Sequence, residues 1–324
     1  MNCLVTGCAG FIGSHLTESL LQDGHRVIGV DCFNANYARP EKLRNLKVAQ
    51  EWDDFEFVPI DLSRGDLTDL VSDCDTVFHL AAEPGVRPSW GERFEAYLRN
   101  NVLATQLLLD ALRVSPGPRL VYASSSSVYG DAECFPTPES AIPNPMSPYG
   151  ATKLSGEHLC KLYHANYGIE SVMLRYFTVY GPRQRPDMAF NLFCRAALAQ
   201  ESIEVFGDGT QTRDFTFVSD VIAATRSAGS VKDIGGHVFN IGGGSQIALK
   251  DTLNVIADLA GRPLDVRYGP PRSGDVKDTG ADTSRAREKL GYRPAVSFED
   301  GLRAEFEWML AACASSAMSG GAVE

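Results

Sequence analysis

Tyr149 and Lys153 lie four residues apart, a spacing that puts both side chains on one face of a helix. The pair is suited to acid–base chemistry. A tyrosine hydroxyl ordinarily ionises near pH ~10, and a neighbouring ammonium stabilises the phenolate and draws that value toward neutrality. A Tyr-x-x-x-Lys pair taken alone is a common surface arrangement. This one follows the hydroxyl-rich run Ser124-Ser125-Ser126-Ser127-Val128-Tyr129-Gly130 and then a proline-rich loop able to shape a pocket.

A second group has the chemistry of a phosphate cradle. The apolar run Asn2–Thr6 leads into Gly7-Cys8-Ala9-Gly10-Phe11-Ile12-Gly13 and then an amphipathic stretch. Gly7, Gly10 and Gly13 let the backbone turn tightly and approach a pyrophosphate, while the helix start at Phe11 and Ile12 offers free amides and a favourable dipole. Asp31 follows the next apolar run at the offset of a ribose-binding acid. Its carboxylate would accept from the ribose hydroxyls and repel a 2′-phosphate. The next residue is Cys32 rather than an arginine, so NAD is favoured over NADP. Asp61 and Leu62 follow the third apolar run; they meet the adenine edge, or Asp61 caps a loop turn. With an oxidised nicotinamide ring nearby, Tyr149 would take a proton from a substrate alcohol as hydride leaves the same carbon.

These groups require a particular scaffold. Apolar runs at 2–6, 26–30, 55–59, 76–80, 119–123 and 170–176 alternate with helical spacing at 11–23, 92–112 and 149–167. That alternation predicts an α/β Rossmann fold: a doubly wound parallel sheet with a smaller C-terminal substrate-binding lobe. The expected division gives residues 1–176 to cofactor binding, with about 215–241 returning through strands at 215–218 and 237–241. Residues 177–214 and 242–312 form the lobe, and 313–324 a flexible tail.

Composition narrows the partners. Of the 324 residues, 44% are hydrophobic and 22% charged, and the net charge of −11 argues against nucleic acid or an anionic membrane as partner. The eight cysteines form no C-x-x-C pair and no zinc spacing, so no metal is expected and buried thiols in a reducing compartment are. Met1 runs into an apolar strand without a leader pattern, and no apolar run approaches the roughly 20 residues that span a bilayer; the expectation is a soluble, cytoplasmic enzyme.

Taken together, Gly7–Gly13, Asp31, His79-Leu80-Ala81-Ala82, Ser124–Gly130 and Tyr149–Lys153 resemble the extended short-chain dehydrogenases acting on nucleotide sugars. The likeness continues through Leu174–Pro182, Thr212-Arg213-Asp214-Phe215 and Asn240-Ile241-Gly242-Gly243, covering nearly the whole chain. Gly85-Val86-Arg87 and Arg185-Pro186-Asp187-Met188-Ala189 are similar to the UDP-glucuronate 4-epimerases. The resemblance implies that Ser125 bonds the reacting oxygen, Tyr149 is the acid/base, and Lys153 binds the nicotinamide ribose. It assigns Arg213 and Arg272 to the phosphates of UDP and Asp275 to the uridine ribose. Thr178 stands where many hexose epimerases carry an asparagine against the sugar nucleotide. The resemblance also implies a homodimer formed through a four-helix interface.

Ser126 and Ser127 occupy positions where related dehydratases and decarboxylases carry carboxylates, so dehydration is disfavoured and reversible oxidation at C4 remains. Oxidising C4 of a hexuronic acid places the carboxyl β to a ketone, a geometry prone to decarboxylation. Hydroxyls and one cation holding the carboxylate would oppose that loss. Ser126, Ser127, Thr178 and Arg185 are the candidates; the serines read otherwise as a tightly packed strand end and Arg185 as a solvated loop charge. Arg87, Arg185, Arg213 and Arg272 would line one basic cleft in an acidic protein. The expected reaction interconverts UDP-glucuronate and UDP-galacturonate. The alternatives are 4-epimerisation of a neutral UDP-hexose or UDP-N-acetylhexosamine, decarboxylation of UDP-glucuronate, or a non-catalytic NAD-binding role.

Overall fold

The structure, a computed structural model, describes residues 1–270 and 276–319. Strands and helices alternate through the first half: β1 (Asn2–Thr6), α1 (Phe11–Gln22), β2 (Arg26–Val30), α2 (Arg39–Leu46), β3 (Phe55–Val58), α3 (Thr68–Val71), β4 (Thr76–His79), α4 (Phe94–Tyr97), α5 (Ala104–Val114), β5 (Arg119–Ser125), α6 (Pro148–Tyr167) and β6 (Ser171–Tyr176). The second half contributes β7 (Val179–Tyr180), α7 (Ala189–Ala199), β8 (Ile203–Phe206), β9 (Thr212–Asp214), β10 (Thr216–Phe217), α8 (Val218–Ser230), β11 (Val238–Ile241), β12 (Gln246–Ala248), α9 (Leu249–Ala260), β13 (Val266–Gly269), α10 (Ser284–Leu290) and α11 (Phe298–Ser319).

The central sheet has seven parallel strands in the order β11-β6-β5-β4-β1-β2-β3. The strand order reverses between β1 and β4, which opens a crevice at their carboxyl ends. Both faces of the sheet are covered, so its strands read as apolar runs rather than alternating ones. One core packs Val5 and Val121 with Leu16 and Leu20 of α1 and Val221 of α8. The opposite core packs Leu4 and Val77 with Leu108 and Leu112 of α5 and Cys160 of α6. A third core gathers Tyr180, Phe190, Phe215 and Phe306 away from this sheet, with the Phe190 and Phe215 rings 4.6 Å apart.

Two expectations need correction. Residues 215–218 do not return to the sheet as a strand. Thr216–Phe217 pairs with Val179–Tyr180 in a two-stranded ribbon, and Val218 already opens α8; β11 supplies the returning strand beside β6. The stretch 92–112 is not one helix. It runs as a short 3-10 turn, α4, a π-helical segment Leu98–Leu103 and α5. The wider π turn accommodates Asn101, whose amide is held by the backbone of Glu83. Helix α11 continues as far as Ser319, with Leu302, Phe306 and Met309 anchoring it on the third core.

Helix α6 is defined at both ends. The Ser147 hydroxyl accepts from the Gly150 amide at 3.1 Å, Pro148 sits in the first turn, and Gly168 closes the helix with φ +72°. Gly156 brings it down on β5: a Cβ there would lie 2.1 Å from the Tyr122 Oη. Among the described residues no helix is long and apolar enough to cross a membrane.

Candidate active site

The turn from β1 into α1 packs backbone against backbone. A Cβ at Gly13 would lie 2.1 Å from the Gly7 carbonyl oxygen, and one at Gly7 would lie 2.9 Å from the Ala81 nitrogen. Gly10 caps α1 without a side-chain bond, so the first-turn amides of Phe11, Ile12 and Gly13 lack intrahelical partners while lining a cavity. Asp31 lines the same cavity, nearly buried; it accepts from the Phe33 amide at 2.7 Å and lies 3.6 Å from the Lys42 ammonium. Asp61 and Leu62 form the next part of the wall. Asp61 also caps its own turn, accepting from the Ser63 amide and hydroxyl at 3.0 and 2.7 Å. Orphaned amides, a buried ribose-side acid and an elongated crevice fit a dinucleotide.

The same cavity extends to Tyr149 and Lys153. Burial raises the Tyr149 hydroxyl above its ordinary value, while the Ser125 hydroxyl and the Arg185 charge pull it back. Lys153 donates to the Ala123 carbonyl at 2.8 Å and lies 5.1 Å from the Tyr122 ring centre, and burial brings its pKa down to about 8. Ser125 bonds the Ser127 hydroxyl and amide, each at 3.2 Å.

A buried chain of hydrogen bonds ties the glycine turn to α6. Thr152 donates to the Tyr149 carbonyl at 2.8 Å and accepts from Asn101 at 3.0 Å. Thr105 donates to the Asn101 carbonyl at 2.7 Å and therefore accepts from the His79 Nε2–H at 3.1 Å. His79 Nδ1 then accepts from the Thr6 hydroxyl, whose oxygen receives the Ala81 amide. Burial pushes His79 down to about 3, so the imidazole stays neutral and keeps this tautomer. Asn101, Thr105 and Thr152 escaped sequence reading. Only His79 carried a signal, within His79-Leu80-Ala81-Ala82.

A second pocket adjoins this one. Ser126, Ser127, Thr178 and Arg213 line it together with Val86 and Thr279. The two serines are half-buried and line this pocket. Arg213 clamps the carbonyls of Thr212, Val276 and Lys277 at 2.6–2.8 Å. Arg185 lies elsewhere: it lines the dinucleotide cavity and makes a two-pronged pair with Asp187 at 3.0 and 2.9 Å. Arg87 is exposed and stacks 4.9 Å over the Phe206 ring, leaving Val86 to line the second pocket. Arg272 and Asp275 lie outside the described residues.

A parallel sheet with a glycine turn at its switch point and a Tyr–Lys helix beside it is the plan of the short-chain dehydrogenase/reductase class. The model of the NAD dependent epimerase/dehydratase family matches residues 3–242. The chain belongs to that family, and its cofactor is NAD. It is similar to the Bacillus cereus UDP-glucuronic acid 4-epimerase solved with UDP-glucuronic acid and NAD, at 44% identity and a TM-score of 0.93, covering 96% of this chain and 100% of that one. A UDP-glucuronate 4-epimerase of Thermodesulfobacterium geofontis is 36% identical over 94% of this chain and 95% of its own length. A UDP-glucose 4-epimerase of Mycolicibacterium smegmatis is 38% identical over 95% of this chain and 98% of its own.

Proposed function

We propose that the chain is a 4-epimerase interconverting UDP-glucuronate and UDP-galacturonate. The observation that carries this reading is the lining of the second pocket. Beside Ser125 it presents the hydroxyls of Ser126, Ser127 and Thr178 and the Arg213 guanidinium, with no carboxylate side chain among its described lining residues. Such a wall accepts an anionic sugar and lacks the acid and base that dehydration needs.

Bound NAD supplies a hydride acceptor and donor at C4. Tyr149 takes the C4 hydroxyl proton at its Oη as the alcohol is oxidised and returns it after the sugar has turned over. Ser125 bonds the same oxygen. Lys153 holds the nicotinamide ribose and contributes positive charge, and Phe11, Ile12 and Asp31 hold the pyrophosphate and ribose. Arg213 anchors the diphosphate while the sugar turns. Ser126, Ser127 and Thr178 restrain the carboxylate so that its bond to C5 stays out of line with the C4 carbonyl π system. In this division residues 1–176 with α8 and β11 serve the cofactor, and the third core carries the UDP-sugar lobe. Leu98, Leu103, Leu162 and Tyr167 expose apolar surface on the α4–α5 and α6 stretches, which supports a homodimer packed through those helices.

One observation favours a neutral UDP-hexose instead: Arg185 is already paired with Asp187 and does not line the serine pocket. Incubating the purified protein with each UDP-sugar, without added NAD, and following products by NMR separates the readings. UDP-galacturonate from UDP-glucuronate is expected. Epimerisation of UDP-glucose alone, or release of carbon dioxide with a UDP-pentose, overturns the proposal.

A further inference from the structure

The pocket wall at Thr279 belongs to an irregular segment, yet it faces serines at the end of a rigid strand. Something must fix the distance between them. Tyr129, two residues past Ser127, is nearly buried, and its hydroxyl donates to the Asn240 side-chain oxygen at 2.7 Å across 111 positions of sequence. Asn240 is fully buried in β11. Its Nδ2 donates to the carbonyls of Thr137 and Asp282 at 2.9 and 3.2 Å, and its amide donates to Glu139 at 2.9 Å. Thr137 in turn donates to the Gly280 carbonyl at 2.7 Å and accepts from the Asp282 amide at 3.0 Å. The chain of contacts therefore ends on the residues next to Thr279.

The other side of Tyr129 is held from the catalytic helix. The Arg175 guanidinium lies 4.6 Å over its ring, and Arg175 pairs with Glu157 of α6 at 2.8 and 2.7 Å. Glu157 also accepts from the Ser124 hydroxyl at 2.6 Å. Tyr129 is thus the joint between a buried ion pair behind Ser125 and the outer wall of the pocket.

We propose that Tyr129 and Asn240 are positioning residues, forming a strut that sets how far the wall of the UDP-sugar pocket stands from Ser125 and Tyr149. The inference rests on the UDP-sugar reading of that pocket. An epimerase must present both faces of one carbon to one tyrosine while the diphosphate stays anchored. The span from anchor to tyrosine therefore governs whether C4 arrives in line, and a misplacement of roughly 1 Å can cost on the order of a hundredfold in rate.

The test is Tyr129→Phe, Asn240→Ala and the double variant, assayed with whichever UDP-sugar the wild type epimerises. Free UDP contacts the anchor but not the catalytic end. Tyr129→Phe is expected to lower kcat about tenfold while the inhibition constant of UDP stays within about twofold. Amides of residues 279–282 should exchange faster with deuterium, a readout that needs no turnover. In the Asn240→Ala background, Tyr129→Phe should cost nothing further, the signature of two residues acting as one contact. Unchanged kcat in Tyr129→Phe overturns the strut, whatever the exchange shows. So does a rise in the UDP inhibition constant that matches the loss of kcat, since that marks general loosening of the pocket. If Asn240→Ala fails to fold, the Tyr129→Phe ratios still decide. Failure of the wild type to epimerise UDP-glucuronate counts against the proposed substrate and leaves those ratios readable.

Discussion

On the cofactor side of the cleft the contacts come from backbone and strand ends. Gly7 to Gly13, Asp31 and Asp61 each follow a parallel strand, and the sheet alone brings them together. In the second pocket they come from side chains on separate segments around residues 86, 126–127, 178, 213 and 276–279, joined by long-range hydrogen bonds. A backbone-built site tolerates little change in its glycines, and its distant neighbours, such as Ala81 against Gly7, are set by the register of the sheet. A side-chain-built site can be retuned residue by residue, which suits the substrate-selecting role proposed for it.

The largest expected effect separates chemistry from both sites. Tyr149→Phe keeps the helix and the cavity but removes the group that moves the proton. Turnover should fall by roughly 10²–10⁴, the usual loss for a general acid/base. The variant should still release NAD, and not NADP, when denatured and assayed for bound nucleotide. Near-normal turnover would remove Tyr149 from its role, and mainly NADP would remove Asp31 from its own.

The same contrast explains what could be read from sequence. The glycine turn and Asp31 were legible because their chemistry lies within a few residues of an apolar strand, and the strands themselves were placed to within about two residues for the same reason. Tyr149 and Lys153 were legible through a single helical spacing. The π-helical turn at Leu98–Leu103 was not, since what favours it is the fit of Asn101 against Glu83, a contact between that turn and a distant loop. Tyr129 and Asn240 lie within sequence motifs that show no role for them, because nothing local in either residue announces a partner 111 positions away. The run 215–218 was misread as a returning strand because an apolar run does not reveal which partner it pairs with.

Arg185 lines the dinucleotide cavity, where its charge reaches Tyr149, and its removal should have the next largest effect. A neutral hexose carries a hydroxymethyl group where glucuronate carries a carboxylate. If Arg185 leaves Asp187 to meet that carboxylate, Arg185→Ala should lower kcat/KM for UDP-glucuronate roughly tenfold to over a hundredfold, the worth of a hydrogen bond to a charged group. Any slow reaction with UDP-glucose should change little. Looser restraint, in Arg185→Ala or Ser127→Ala, should also raise the fraction of turnovers that lose carbon dioxide, read by NMR as a UDP-4-keto-pentose. Equal losses on both sugars without that product would make Arg185 part of the cofactor wall, together with Tyr149.

The smallest effect lies where the loop bearing Arg185 is rooted. Glu305 of α11 is fully buried, and one carboxyl oxygen accepts from the Gly181 amide at 2.7 Å while the other has no hydrogen-bond partner among the described residues. Burial pushes its pKa up to about 8, against the Gly181 bond that lowers it. Tyr180 and Cys194 face it, and burial pushes both upward, so neither charges in the neutral range. A carboxyl with a raised folded-state pKa binds its proton more tightly folded than unfolded. Its contribution is therefore fully present below about pH 4.5 and is lost as pH rises toward about 8. Wild-type stability should fall through that window by on the order of 1 kcal/mol per pH unit, and Glu305→Gln, which cannot ionise, should flatten the slope. Melting curves of the two proteins between pH 5 and pH 8.5 would show the difference, about a few degrees at the alkaline end. Because Glu305 touches neither pocket, kcat at pH 7 should be nearly unchanged. If both proteins lose stability in parallel, Glu305 is already ionised in the folded state and the Gly181 amide suffices to hold it charged.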